Sequence, residues 1–239
     1  MESVTDTSAF FISGQALFGA YPSQQQIQQL TQWGVELIVN LTSNNEKKIK
    51  PYVSDCEVLH YPIPDREVPK FLVSFYACVV AVSKAIFEHK KIYIHCKGGH
   101  GRASLFVSCV LCFVYKITPE EAFDLTSKYH ASRRVHSSRP KKDSYWKTKG
   151  FPQTQEQRMC VKTAFQQYLI PEHSPFYTYG VWFSGAYDTY LLQTGLGSIT
   201  GTNGKALEEY RNNIFSQQLP LILSPYTNRQ DHIQTSNTQ

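Results

Sequence analysis

Hydrophobic and polar positions alternate with two different periods along the chain up to about residue 170. Four apolar runs have the length of β-strands, at 17–20, 35–41, 57–61 and 92–94. Stretches with apolar residues three or four positions apart predict helices that start near residues 23, 70, 103, 119 and 154. In the helix predicted over 70–88, the residues expected to face the core are Phe71, Phe75, Val79, Val82 and Ile86. Strands that alternate with helices are typical of an α/β fold with a mostly parallel sheet.

Three of the predicted helices begin with a capping signal. Ser23 and Gln26, and likewise Thr154 and Gln157, have the spacing of a capping box, in which each side chain bonds the backbone N–H of the other residue. Thr118 stands before a proline and two glutamates, an order that is typical of a helix start. These signals place helix beginnings independently of the hydrophobic pattern.

The loop between the run at 92–94 and the next predicted helix is the most chemically informative part of the chain. It reads His95-Cys96-Lys97-Gly98-Gly99-His100-Gly101-Arg102-Ala103-Ser104. The order strand, glycine-rich loop, helix lets successive backbone N–H groups converge at the positive end of a helix, where a phosphate dianion binds. The residues expected to contact such a phosphate are Lys97, Gly98, Gly99, His100, Gly101 and Arg102.

These residue types fit nucleophilic attack on phosphorus by Cys96. The thiolate is the reactive form of cysteine, and a helix N-terminus with nearby cations favours it. Arg102 offers a planar fork that can hold two phosphate oxygens. The leaving oxygen still needs a proton, and Asp65, in a loop marked by prolines at 62, 64 and 69, is the candidate general acid. The alternative is that Asp65 is a solvated residue of a turn.

His95-Cys96, five loop residues and Arg102, with Pro62-x-x-Asp65 upstream, resemble the cysteine-dependent protein tyrosine phosphatases of the dual-specificity type. The resemblance covers roughly residues 12–170. It implies a central, mostly parallel sheet flanked by helices, with Cys96 as nucleophile, Arg102 as phosphate ligand and Asp65 as acid. It also implies that His95 orders the loop, and that the reaction needs no metal and no cofactor.

The run from Pro152 to Gln157 resembles the glutamine loop of some of these phosphatases. In them, a glutamine positions the water that hydrolyses the phosphocysteine intermediate. By this resemblance Gln153 or Gln157 takes that role. The capping box that starts at Thr154 is a structural explanation for Gln157, and both explanations can hold.

The residue after the arginine departs from the family pattern. Most members have serine or threonine there, and its hydroxyl stabilises the thiolate as a leaving group. This chain has Ala103 followed by Ser104. Breakdown of the phosphoenzyme is therefore expected to be slow, unless Ser104 compensates for the missing hydroxyl.

The net charge of the chain excludes few classes of substrate. The chain has 239 residues and a net charge of +5, too mild to indicate nucleic-acid binding by itself. The positive charge is clustered in Arg133, Arg134, Arg139, Lys141, Lys142, Lys147 and Lys149. This stretch is either a solvated loop or a basic rim that draws acidic substrates. Lys97 and His100 agree with the second explanation, and phosphoinositides or polyphosphates would fit it.

Other features argue against secretion and metal binding. No signal peptide and no run of membrane-spanning length is recognisable, which predicts a cytoplasmic or other intracellular protein. The six cysteines show neither a disulfide framework nor metal-ligand spacing. Outside the phosphate loop, His130, His136 and His173 are expected to be ordinary loop or helix-end residues.

We expect a phosphatase domain over 1–170, an aromatic-rich extension over 171–223 and a disordered tail over 224–239. The extension either packs on the phosphatase core or is a small second domain. The predicted function is phosphomonoester hydrolysis, with phosphotyrosine and phosphoserine/threonine proteins as the first substrates to consider. Phosphoinositides and RNA 5′-triphosphates remain alternatives, as does a phosphate-binding module with little turnover. The sequence leaves the oligomeric state open.

Overall fold

The structure is a computed structural model that describes residues 3–44, 46–47, 49–115 and 117–168. The strands are β1 (Ser8–Ile12), β2 (Ala16–Gly19), β3 (Leu37–Asn40), β4 (Glu57–His60) and β5 (Ile92–His95). The helices are α1 (Gln24–Trp33), α2 (Leu72–Phe87), α3 (Gly101–Tyr115), α4 (Pro119–Ala131), α5 (Pro140–Thr148) and α6 (Gln155–Tyr168). The predicted extension over 171–223, the tail over 224–239 and His173 lie outside the described residues.

The five strands form one sheet in the order β1-β2-β5-β3-β4. Every neighbouring pair is parallel except β1 and β2, which are antiparallel. This confirms the predicted α/β fold with a mostly parallel central sheet. Strand β1 is not predicted by the hydrophobic pattern. Most residues of β1 are buried, so apolar and polar residues do not alternate along it. The one local signal of a hairpin is the tight turn to β2, where Gly14 has φ +70°.

The sheet is covered by helices on both faces, because successive side chains of a strand point to opposite sides. One face packs with α1 and is formed by Leu17, Ile38 and Tyr93. The opposite face belongs to the larger core, which includes α2 and α3, and is formed by Phe18, Val39 and Ile94. The middle strand β5 is therefore buried on both sides, which explains the apolar run at 92–94 within it.

Helix α3 lies at the centre of the helical layer. Its residues from Gly101 to Val114 are all buried, and it packs against α2, α4 and α6. An apolar surface all round is typical of such a central helix. No helix in the described part of the chain is long and apolar enough to cross a membrane. Because β5 and α3 are both fixed by the core, the loop between them is anchored at both ends.

The helix starts agree with the capping signals more closely than with the hydrophobic pattern. The predicted box at Ser23 is formed, and Thr118 caps α4 as predicted and forms a capping box with Glu121. The expectation that Phe71 faces the core is wrong, because it lies before the first residue of α2 and is exposed. Helix α5 was not predicted either. It begins with a proline and buries none of its residues, so its sequence carries no apolar stripe.

Candidate active site

Cys96 follows directly after β5, the middle strand of the sheet. Its side chain is buried, and the loop over 96–100 leads into the N-terminus of α3 at Gly101. Ligands of open parallel sheets bind outside the carboxyl ends of the strands. The predicted nucleophile therefore lies where the fold favours a ligand and where a helix N-terminus favours an anion.

Two carbonyl groups of the phosphate loop accept hydrogen bonds from residues outside the loop. The backbone N–H of Tyr21 donates to the carbonyl of Lys97 at 3.0 Å, and Arg133 Nη2 donates to the carbonyl of Gly99 at 2.9 Å. In a planar trans peptide, a C=O group and the N–H group that follows it point in opposite directions. The two N–H groups that follow these carbonyls therefore face away from Tyr21 and Arg133, into the loop. Such a concave set of N–H groups binds anions.

Gly99 is the loop position that accepts no other residue. Its φ is +72°, a conformation that favours glycine. A Cβ atom there would also lie 2.6 Å from the carbonyl oxygen of Gly19 on β2, and equally close to Arg133 Nη1. The loop shape thus depends on a close approach between two backbone segments.

Arg102 is buried and makes four hydrogen bonds to other described residues. Its Nη1 atom donates to Glu46 Oε2 at 2.7 Å and to the carbonyl of Ile63 at 2.9 Å. Its Nη2 atom donates to Glu46 Oε1 at 2.8 Å and to Asp65 Oδ1 at 2.9 Å. Burial alone would lower the pKa of Arg102, but Glu46, Cys96 and Asp65 together raise it. The guanidinium is therefore charged and fixed in orientation.

Glu46 is a site residue that the sequence analysis missed. Burial alone would raise the pKa of Glu46, but the hydrogen bonds and charge of Arg102 lower it below its usual range. Glu46 lies in the segment between β3 and β4, next to several lysines. A single acidic residue in such a stretch has no spacing that marks it, and only the tertiary fold brings it to Arg102.

The structure brings Asp65, the predicted general acid, to the same arginine; its role as acid stays a prediction. Its side chain is 57% exposed, and it pairs with Arg102 at the surface of the site. The segment that carries it is tied to α6, because Gln157 Nε2 donates to the carbonyl of Glu67 at 3.2 Å. Asp65 is thus an exposed carboxylate on a tethered segment beside the phosphate loop.

Both candidate glutamines border the phosphate loop at Gly101. A Cβ atom built on Gly101 would lie 2.9 Å from the amide atoms of Gln157 and 3.2 Å from Gln153 Oε1. Gln157 is buried and forms the predicted capping box with Thr154. Within the described residues Gln153 makes no side-chain hydrogen bond, so its amide is free to bind water. The role of either glutamine in water positioning stays a prediction.

His95 and Ser104 lie on either side of the loop. His95 is fully buried, and its Nε2 atom is 2.8 Å from the hydroxyl of Tyr52. Burial lowers the pKa of His95 to about 3, so the ring is neutral at pH 7. The hydroxyl of Ser104 is buried and has no hydrogen-bond partner among the described residues. Ser104 is therefore not bonded to the Cys96 sulfur, and its compensation for Ala103 remains a prediction.

His130 is in the last turn of α4, as expected, but it also contacts the phosphate loop. Its Nε2 atom is 2.9 Å from His100 Nδ1, and its ring stacks on Phe151. His100 stacks on Trp146 of α5 with a centroid distance of 4.1 Å. Burial lowers the pKa of His100 to about 3. On the other side of this group, His136 Nε2 donates to the backbone carbonyl of His130 at 3.0 Å. Sequence spacing gave no sign of the cluster.

The basic stretch after α4 divides into two parts. Arg133 is buried below the loop, which excludes it from a solvated rim. The exposed part is carried mainly by α5, in Arg139, Lys141, Lys142 and Lys147. The Trp146–His100 stack places α5 beside the pocket. Among the described residues there is no cluster of His, Cys, Asp and Glu that could hold a metal ion.

A family model described as "Swiss Army Knife protein, DSP-PTPase phosphatase domain" matches residues 15–154. The chain belongs to this family. It therefore carries a phosphatase domain of the dual-specificity type, which confirms the resemblance drawn from the loop motif. The match covers β2 to β5, the phosphate loop and all helices up to the start of α6.

Two curated relatives align with this domain. "Putative tyrosine phosphatase 197R" of Invertebrate iridescent virus 6 is 39% identical over 125 residues, which cover 50% of this chain and 47% of the viral protein. "Phosphatidylglycerophosphate phosphatase PTPMT2" of Arabidopsis thaliana is 27% identical over 128 residues, or 52% of this chain and 56% of the plant protein. The chain spans about half the length of these relatives.

Among solved structures, the active form of Tk-PTP superposes with a TM-score of 0.53 and 24% sequence identity. The superposition covers 67% of this chain and 97% of Tk-PTP. At this identity the likeness establishes the fold. It confirms that the central sheet with flanking helices is that of the protein tyrosine phosphatases.

Proposed function

We propose that this chain hydrolyses phosphomonoesters through a phosphocysteine intermediate on Cys96. One observation carries the proposal. A buried cysteine follows the middle strand and enters a loop whose carbonyls are held outward, beside an arginine fixed by two carboxylates. The cysteine supplies a nucleophile, the loop supplies anion-binding N–H groups, and Arg102 supplies a charged fork.

In the first step, the phosphate dianion binds the loop N–H groups and Arg102. It takes the place of Asp65 on Nη2, since that contact is a single hydrogen bond to an exposed side chain. The Cys96 sulfur attacks phosphorus in line with the leaving oxygen. After leaving Arg102, Asp65 takes up a proton from solvent. The sulfur–phosphorus bond forms as the phosphorus–oxygen bond breaks, and the leaving oxygen takes that proton from Asp65.

In the second step, water attacks the phosphocysteine and the thiolate leaves. Asp65, now unprotonated, accepts a proton from that water. Gln153 is the better candidate for positioning the water, because the amide of Gln157 is engaged in the capping box and in the bond to Glu67. Inorganic phosphate then leaves the loop.

Phosphotyrosine and phosphoserine/threonine proteins are the substrates that we propose first. The name of the iridescent virus relative supports tyrosine phosphatase activity, and its identity to this chain is 39%. A phospholipid headgroup is the second candidate. The plant relative named for phosphatidylglycerophosphate supports it, and so does the exposed basic surface of α5 beside the loop.

Hydrolysis of 4-nitrophenyl phosphate by the full chain tests the proposal. Wild type should hydrolyse it, whereas Cys96→Ser should remove all hydrolysis above background and still bind orthophosphate. Cys56→Ser, at a partly buried cysteine just before β4, is the matched control and should keep full activity. Absence of hydrolysis by wild type, with intact phosphate binding, would favour a binding module instead. Phosphopeptides, phospholipids and triphosphorylated RNA, compared at equal concentration, then separate the substrate classes.

A further inference from the structure

Arg133 is a buried arginine whose charge has no role in the proposed chemistry. It lies two residues after the end of α4, and the residue is only 4% exposed. Its Nη2 atom donates to the carbonyl of Gly99, the middle residue of the phosphate loop. The guanidinium stacks on Phe18 of β2 at 4.4 Å, and its Nε atom has no hydrogen-bond partner among the described residues.

The charge of Arg133 has no carboxylate partner within the described ranges. Arg102, by contrast, pairs with Glu46 and Asp65, and the neighbouring Arg134 pairs with Asp6 at 3.5 Å. Burial lowers the pKa of Arg133 to about 10, so it is still charged at neutral pH. A buried cation without a partner is unfavourable unless an anion compensates for it.

Arg133 bonds the carbonyl of Gly99 in the loop that begins at Cys96, so the anions nearest to it are those that this loop holds. The other ionisable side chains around this part of the loop are Tyr93, His100, His130 and His136. The three histidines are neutral because burial lowers their pKa values. Burial raises the pKa of Tyr93, so its phenol is neutral too. The remaining candidates are the thiolate of Cys96 and a phosphate bound in the loop.

We propose that Arg133 is a positioning residue of the phosphate loop that also balances the negative charge of the thiolate and the bound phosphate. It touches neither the substrate nor the reacting atoms. By holding the Gly99 carbonyl outward, it turns the next N–H group toward the phosphate. This inference deepens the proposed function and rests on it, since it takes Cys96 as the nucleophile.

Two measurements on the full chain test Arg133 without relying on turnover. The first is the pH midpoint of iodoacetamide alkylation of Cys96, followed by peptide mass spectrometry so that the other cysteines do not interfere. The second is the affinity for orthophosphate in a Cys96→Ser background, measured by calorimetry. The variants are Arg133→Met, which removes the charge, and Arg133→Lys, which keeps it. Arg134→Met is the matched control, because its side chain is 53% exposed.

Arg133→Met should raise the alkylation midpoint by about one pH unit and weaken orthophosphate binding about tenfold. Arg133→Lys keeps the charge, so it should leave the midpoint within about 0.3 pH units. It should weaken orthophosphate binding less than Arg133→Met does, although lysine cannot reproduce the planar stack on Phe18. Arg134→Met should change neither value. The difference between Lys and Met at one position is a response that a purely structural role does not produce.

The inference is overturned if Arg133→Met behaves like Arg134→Met, or if Arg133→Lys shifts the midpoint as far as Arg133→Met does. Should Arg133→Met fail to fold, Arg133→Gln replaces it with the same expected shifts. Failure of both neutral variants to fold would assign a structural role and overturn the inference as well. These outcomes are distinct from failure of the proposed function, which appears as absent hydrolysis by wild type.

Discussion

The ion pair between Glu46 and Arg102 offers a quantitative test of the site. Both Nη atoms donate to the carboxylate, at 2.7 and 2.8 Å, and the side chains are 7% and 2% exposed. Glu46→Gln keeps the shape, removes the charge and turns an amide NH₂ group toward the guanidinium donors. Breaking a buried ion pair costs about 3–5 kcal/mol. Because Arg102 retains Ile63 and Asp65 as partners, we expect a loss of about 2 kcal/mol.

Urea unfolding of the full chain at pH 7, followed by circular dichroism, measures this loss. Glu57→Gln is the control, because the Glu57 side chain is 61% exposed and lies 3.8 Å from Lys90. An exposed pair of this kind contributes less than about 1 kcal/mol, and we expect a change below about 0.5 kcal/mol. A loss in Glu46→Gln no larger than in the control would refute the importance of the buried pair.

The same pair determines the sign of a pH effect. Burial alone would raise the pKa of Glu46, but Arg102 lowers it below its usual value of 4.5. A carboxyl with a lower pKa in the folded chain adds stability above its unfolded pKa, and this stability is lost as the pH falls through the folded pKa. The stability gap between wild type and Glu46→Gln should be constant from pH 7 to about 5 and shrink below about pH 4. A gap of unchanged size at pH 3 would contradict this reasoning.

Two further substitutions test the chemistry. Asp65→Ala should lower kcat/KM for phenyl phosphate, whose leaving oxygen needs a proton, by about 10²–10³-fold. It should also strengthen orthophosphate binding, because it removes a competing carboxylate from Arg102; calorimetry that found weaker binding would exclude this competition. Ala103→Ser should raise steady-state turnover and shrink the pre-steady-state burst, since the added hydroxyl speeds breakdown of the phosphoenzyme. Rapid-quench kinetics that showed neither change would mean that the missing hydroxyl is not limiting.

The features that could be predicted from the sequence are those formed by residues that are contiguous in the chain. The phosphate loop is one run of ten residues between a strand and a helix, and its chemistry follows from local geometry. The capping boxes at Ser23, Thr118 and Thr154 are equally local, and all three are formed. The family resemblance was also recognised from local sequence, because a motif is defined by the spacing of residues along the chain.

The features that escaped prediction are contacts between distant segments. Glu46 is 56 positions from Arg102, and Arg133 is 34 positions from Gly99. Neither residue type indicates a buried ion pair or hydrogen bond, because glutamate and arginine are usually exposed. Helix α5 was not predicted for a related reason. It buries none of its residues, and it is held by the stack of Trp146 on His100 and by the backbone N–H groups that bond Asp143, rather than by an apolar stripe.

Arg102 makes unequal contacts with its two carboxylates, and this inequality determines what a substrate displaces. Glu46 is buried and accepts from both Nη atoms, whereas Asp65 is exposed and accepts from one. We therefore expect an arriving phosphate dianion to displace Asp65 and to leave Glu46 in place, because the single exposed contact is the weaker one. In the proposed mechanism, this exchange frees Asp65 at the surface of the pocket, where it can take up the proton that it gives to the leaving oxygen. We expect Glu46 to hold the guanidinium in a fixed plane throughout, because it accepts from both Nη atoms.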